Sequence, residues 1–186
     1  MHVLGLCGSL RRDSYNRRLL LAAAKELPDY SVFQLFDDLA EIPAFNEDTE
    51  AFDTPTAVRA LRGAIANAGG VVIATPEYNA SVPGLLKNAI DWASRPYPDH
   101  VLRGKPVIVV GASTGGFGAA LAQAELRRVL QAIGAKVLDA ELPVPQAHDA
   151  FGADGRLANP LLGSRLATMI THLVNVAAVD GAYTCA

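Results

Sequence analysis

Short apolar runs alternate with stretches of helical periodicity from one end of this chain to the other, and no other feature restricts its fold more. Residues 2–8 (HVLGLCG), 71–76 (VVIATP) and 106–113 (PVIVVGAS) are apolar on both faces, as strands buried inside a parallel sheet are. Residues 31–36 (SVFQLF) form a weaker fourth run and 135–142 (AKVLDAEL) a fifth. Between them, apolar residues recur at helical spacing: Leu19, Ala23 and Leu27; Val58, Leu61, Ile65 and Ala68; Leu85, Ala89 and Trp92; Ala122, Leu126, Val129 and Ile133. Thr54-Pro55 reads as an N-cap followed by a first-turn proline. Asn159-Pro160 opens a last helix carrying Leu162, Leu166, Met169 and Leu173. Strand and helix alternating five times predict an α/β three-layer sandwich, a five-stranded parallel sheet with helices on both faces. The 186 residues suffice for one sizeable core and fall short of two, so residues 1–186 read as a single domain.

Composition narrows the function. With 51% hydrophobic and 19% charged residues the chain is globular rather than disordered. A net charge of −3 gives no electrostatic reason to expect nucleic acid or an acidic membrane as partner. No apolar stretch is expected to approach the roughly 18 residues that span a bilayer. The N-terminus lacks the basic start of a signal peptide. Cys7 reads as a small buried hydrophobe and Cys185 lies beside the terminus; their spacing fits neither a metal site nor a disulfide framework. These features point to the reducing cytoplasm.

Ligands of such sheets sit beyond the carboxyl ends of the strands, which directs attention to residues 8–16, 75–84 and 112–118. The first loop, GSLRRDSYN, has neither the lysine of a G-x-x-x-x-G-K-[ST] loop nor the glycines of G-x-G-x-x-G. It does place Ser9, Arg11, Ser14 and Asn16 where a strand passes into a helix. Hydroxyls, an amide, helix-start N–H groups and a forked guanidinium suit a terminal monophosphate. A plainer reading is also open: Ser14 caps the helix and the arginines are solvated. In the second loop Pro76 and Pro83 stiffen the chain around Glu77, Tyr78 and Asn79, which offer an aromatic face, an amide and backbone N–H groups to a flat heterocycle. The same residues would also serve a rigid surface loop. The third loop, GASTGGFGA, combines Ser113 and Thr114 with Gly115, Gly116 and Gly118, glycines that admit a ligand close to the backbone or form a tight turn.

Taken together, the strand-GSLRxxSxN loop, the TPEYNxSxPGxLKNAIDW segment and the late Ser/Gly-rich loop resemble the NAD(P)H-dependent FMN reductases, a flavodoxin-like family that includes quinone and chromate reductases. The resemblance covers roughly residues 2 to 140. It implies that Ser9, Arg11, Ser14, Tyr15 and Asn16 surround the phosphate of FMN. Pro76, Glu77, Tyr78 and Asn79 would lie along the isoalloxazine ring, with Ser113, Thr114 and Gly115 closing the other side. Tyr15 stands where phenylalanine is common in the family.

The implied activity is hydride transfer from NADPH or NADH to FMN, followed by electron transfer to a small-molecule acceptor such as free flavin, a quinone, an azo compound or chromate. One exposed ring face serving donor and acceptor in turn implies ping-pong kinetics. The chemistry belongs to the flavin, so no side chain is assigned as acid, base, nucleophile or metal ligand. His2, His100, His148 and His172 are scattered and read as surface or packing residues. The family commonly forms homodimers or homotetramers, and the helix over residues 85–95 is the expected contact, with Trp92 either there or in the core. A non-enzymatic electron carrier of the flavodoxin kind would share fold and cofactor, but Arg11 and the PEYN segment favour a reductase. A regulatory module for another phosphorylated ligand would need no flavin. Segment 143–158 carries no motif, and acceptor preference is the role open to it.

Overall fold

The computed structural model describes residues 1–183, with side chains as far as Val179. Its parallel strands are β1 (His2–Cys7), β2 (Val32–Phe36), β3 (Gly70–Thr75), β4 (Pro106–Ala112), β5 (Lys136–Val137) and β6 (Pro143–Val144). They lie in the order β2-β1-β3-β4-β5, with β6 also pairing β4. The helices are α1 (Tyr15–Ala24), α2 (Glu47–Phe52), α3 (Thr56–Asn67), α4 (Gly84–Ala93), α5 (Ala120–Ala132) and α6 (Pro160–Tyr183). Side chains of successive strand residues point to opposite faces, and this divides the core in two. Leu4, Leu6, Val71, Ile73, Val107 and Val109 pack under α3, α4 and α5. Val3, Val72, Ala74, Ile108 and Val110 pack under α1 and α6. The result is the expected three-layer sandwich, with the strand order reversing beside β1 and β3, where such sheets bind ligands.

The fifth strand departs from expectation. Only residues 136–137 and 143–144 of the region pair with β4, and the register shifts by two between Val107↔Val137 and Gly111↔Pro143. Residues 138–142 bulge out, and α5 holds the bulge. Arg127 donates to the carbonyls of Leu138 and Ala140 and to Asp139 Oδ1, and Gln123 Oε1 accepts from Leu142 N–H.

Smaller differences have local causes. Pro55 is itself the N-cap of α3, extended at ψ 146°, so the helix begins at Thr56 and Thr54 lies outside it. Leu27 falls beyond α1, whose cap is Lys25. Trp92 is fully buried: its Nε1–H donates to the Pro43 carbonyl at 2.8 Å and its ring meets Phe45 edge-on at 5.0 Å. Between β2 and α3 lie a 3-10 turn (Asp38–Glu41) and α2, two short elements that the apolar pattern does not announce. Cys185 lies outside the described residues.

The expectation about membrane-length stretches also needs correction. Residues 160–179 form a helical stretch of 20 residues with mean hydropathy 1.2, long and apolar enough to cross a bilayer. Polar residues such as Arg165 and His172 interrupt the run in sequence, which hides its average. In the fold Leu166, Met169, Ile170, Leu173 and Val174 are buried in the core under α1's face of the sheet, as expected of a covering helix.

Candidate functional site

The three loops converge on one open cleft of about 160 Å3 at the carboxyl edge of β1, β3 and β4. Its walls come from Ser9, Arg11, Ser14, Tyr15 and Asn16 of the first loop, Pro76, Glu77 and Tyr78 of the second, and Ala112, Ser113 and Thr114 of the third. Asn79 and Gly115 lie outside this lining.

In the first loop Ser14 is the N-cap of α1, and its Oγ accepts from Arg17 N–H at 3.3 Å. The N–H groups of Tyr15 and Asn16, at the first two helical positions, have no intrahelical carbonyl to reach and carry the positive end of the helix dipole. Ser9 Oγ accepts weakly from Arg11 N–H at 3.5 Å. The Arg11 side chain is exposed, lies 5.9 Å from the Tyr15 ring centroid and has no ion pair among the described residues. Arg17 pairs with Asp37, whose hydrogen bond raises the guanidinium pKa further. Asn16 is tied up differently. It is buried, its Nδ2 donates to the Ala112 carbonyl at 3.0 Å, and its Oδ1 accepts from Ala112 N–H at 2.9 Å. It therefore clamps the first loop to the third across 96 positions of sequence.

The second loop is a two-residue hairpin. Tyr78 and Ser81 exchange both backbone hydrogen bonds at 3.1 Å, with Asn79 at φ 51° and Ala80 at φ 60°. Positive φ at both central residues is the geometry that asparagine tolerates, so Asn79 serves the turn. Two carboxylates from different elements moor this hairpin to α5. Glu77 Oε2 accepts from Ala122 N–H in the first turn of α5, and Glu125 Oε2 accepts from Ser81 Oγ at 2.7 Å and Val82 N–H at 3.2 Å. The Ser81 hydroxyl, with Val82 N–H behind it, holds the Glu125 carboxyl below its ordinary pKa.

The third loop rests on segment 143–147. Ser113 N–H donates to Val144 O, Ala147 N–H to Ser113 O, and Gln146 N–H to Gly115 O. Gly118 has φ +57°, and a Cβ there would lie 2.5 Å from Val144 N, so this glycine serves backbone-to-backbone packing. A Cβ at Gly115 would meet only Ser113 Oγ, at an ordinary 3.6 Å, and Gly116 faces open space. Gln123 Nε2 donates to Gly118 O, tying the same loop to α5.

Several contributors carry no motif. Ala112 lines the cleft, and Glu125, Gln123 and segment 143–147 hold its loops in place. The one available signal was Gln123 and Arg127, polar residues four apart that fall on the buried face of α5. Among the histidines, His2, His148 and His172 are exposed. His100 is buried with its Nδ1 unpaired, and desolvation lowers its pKa. It precedes β4, at the opposite edge of the sheet from the cleft.

The donor set suits a flat phosphorylated ligand: hydroxyls, helix-start N–H groups and a guanidinium with no ion pair among the described residues, beside neutral walls from Pro76, Tyr78 and Ala112. Residues 1–149 match the model of a family described as NADPH-dependent FMN reductase. The chain is 46% identical over 156 residues to an NAD(P)H-dependent FMN reductase of Pseudomonas aeruginosa, covering 83% of each chain. It is 42% identical over 140 residues to a quinone reductase of Escherichia coli K12, covering 75% of this chain and 74% of the other. Among solved structures, the flavoenzyme NAD(P)H:(acceptor) oxidoreductase from Paracoccus denitrificans superposes with a TM-score of 0.83 at 37% identity, covering 95% of this chain and 96% of that one.

Proposed function

Since this chain belongs to the family of NADPH-dependent FMN reductases, we infer that it is an NAD(P)H-dependent, FMN-containing oxidoreductase that reduces small-molecule acceptors, quinones foremost. The observation that carries this reading is the convergence of the three loops on one cleft with the Arg11 guanidinium left without an ion pair beside the start of α1. FMN, when bound, supplies the hydride acceptor and the two-electron store. The chain supplies position. Arg11, Ser9 and the N–H groups at the start of α1 fit the phosphate. Pro76, Tyr78 and the backbone of Ala112 and Ser113 fit the ring as neutral walls. Asn16, Glu77 and Glu125 hold the three loops in register behind them. No acid or base within the cleft is required of the protein, and the carrier reading is less favoured than the enzymatic one.

The purified protein is expected to be yellow and to release FMN on denaturation. Anaerobic addition of NADPH should bleach it promptly, and a quinone should restore the colour. A colourless protein that takes up no FMN, or a flavin that donors leave oxidised, would refute the reading.

A cytoplasmic homodimer or homotetramer is part of this proposal. The support for an oligomer is the exposure of large apolar side chains, Leu10, Tyr78, Phe117 and Leu121, on the three loops and the first turn of α5. Trp92 lies in the core, so any contact through α4 would use its outer face. Light scattering at micromolar concentration tests the oligomer, and a monomer would remove it.

A further inference from the structure

The chain beyond β6 also reaches the first loop, through rings and cations rather than hydrogen bonds. Arg18 stands on the outer side of α1, exposed and without an ion pair among the described residues. Two aromatic rings flank it instead. Its guanidinium carbon lies 4.5 Å from the centroid of the Phe151 ring and 5.9 Å from that of Tyr15, both within reach of a cation–π attraction. The Tyr15 ring has the Arg11 guanidinium at 5.9 Å as well. Cations and rings therefore alternate outward from the lip of the cleft, in the order Arg11, Tyr15, Arg18, Phe151.

The outer end of this series is firmly built. Phe151 forms an antiparallel bridge with Leu157, Gly152 N–H donates to Arg156 O, and Ala158 N–H donates to Ala150 O. The turn is fastened to the far end of α1, where Lys25 Nζ donates to the Asp154 carbonyl and Arg156 pairs with Glu26. Residues 150–158 thus clasp α1 from its C-cap back to its first turn. Tyr15 and Phe151 both pack against the core under α1 and α6. Arg18 and Phe151 do not line the cleft, whereas Tyr15 and Arg11 do, so any effect of the outer pair passes through the Tyr15 ring. We propose that Arg18 and Phe151 are positioning residues for the FMN phosphate: they fix the ring beside which Arg11 lies, and segment 150–158 thereby serves the selection of a phosphorylated flavin over an unphosphorylated one. The proposal rests on the flavin-binding reading above.

Titration of the full chain with FMN and with riboflavin, the same ring system without the phosphate, tests it. The parent should bind FMN more tightly. Phe151→Leu keeps an apolar side chain against the core but removes the aromatic face. It should weaken FMN binding by about two- to fivefold, the range of an exposed cation–π contact, and leave riboflavin binding as in the parent. Phe151→Tyr should restore FMN affinity. Arg18→Ala should lower it at least as far as Phe151→Leu does, and combining the two should cost nothing more, because one acts through the other. A ratio of FMN to riboflavin affinity unchanged in both single variants would overturn the assignment, whether the two flavins weaken together through damage to the loop or not at all. Additive losses in the double variant would overturn it too. A parent that binds both flavins equally would instead count against the phosphate site, and one that binds neither against the oxidoreductase reading; the proposal would fall with either.

Discussion

Replacing Asn16 with alanine isolates the joint on which the cleft depends. The side chain makes two buried hydrogen bonds, 3.0 Å and 2.9 Å, to both polar atoms of the Ala112 peptide. Alanine would strand the N–H and the carbonyl of a residue that is itself buried. Each stranded group costs roughly 1–3 kcal/mol. Partial hydration of the gap lowers the sum, so the expected loss is about 3 kcal/mol, or about 6–12 °C in Tm for a chain of this size. Asn16→Asp gives a sharper test. The carboxylate keeps an acceptor for Ala112 N–H but sets a second oxygen against the Ala112 carbonyl, where a donor stood. At neutral pH Asn16→Asp should therefore be no more stable than Asn16→Ala, and it should recover part of the loss in acid, where a protonated carboxyl donates again. Urea unfolding of the flavin-free protein at pH 7.5 and pH 4.5 measures all of this. FMN affinity should fall in both variants, because the loops proposed to hold phosphate and ring would no longer share a joint. An Asn16→Ala protein within about 0.5 kcal/mol of the parent, the range of ordinary surface substitutions, would refute the clamp.

Other outcomes follow from the same geometry. Arg11→Ala should weaken FMN binding at least about tenfold in a fluorescence titration while circular dichroism stays unchanged, since the exposed guanidinium lies by the Tyr15 ring and makes no ion pair among the described residues. The folded-state pKa of Glu125 is depressed below its ordinary 4.5, so its mooring of the second loop is fully present above that pH and is lost as pH falls through the depressed value. Glu125→Gln should accordingly flatten the acid limb of the stability profile, and an unaltered limb would show that the Ser81 contact contributes nothing. One open cleft must serve donor and acceptor in turn, so double-reciprocal plots should be parallel; lines that intersect over a wide range of both substrates would indicate a ternary complex.

Much of this architecture was legible because it is written in side-chain type. Runs apolar on both faces became β1, β3 and β4, and the i, i+3, i+4 spacing of Val58, Leu61 and Ile65 gave the buried face of α3. The cleft was legible for a related reason. Ten of the twelve positions that the resemblance assigns to FMN line it, because the loops that carry them leave the carboxyl ends of adjacent strands. What sequence did not distinguish was a residue that touches a ligand from one that holds the loop that does. Ser14 is engaged in capping, Asn16 in clamping and Asn79 in a left-handed turn, and all three roles use the same polar chemistry as binding would.

The fifth strand shows a different limit. Its two extra residues are invisible in the apolar pattern of residues 135–142, because the bulge is held from outside by Arg127 and Gln123 on α5. Yet the bulge determines where the chain re-enters the sheet as β6, and β6 sets the third loop. Val144 O takes Ser113 N–H, Ala147 N–H reaches Ser113 O, and Gln146 N–H reaches Gly115 O. These are all main-chain bonds, available to almost any residue at positions 144–147. Segment 143–147 therefore shapes the wall of the cleft through the path of its backbone rather than through its side chains. A motif records which side chains are present, so a segment that acts through its backbone leaves no motif, however closely it is built into the site.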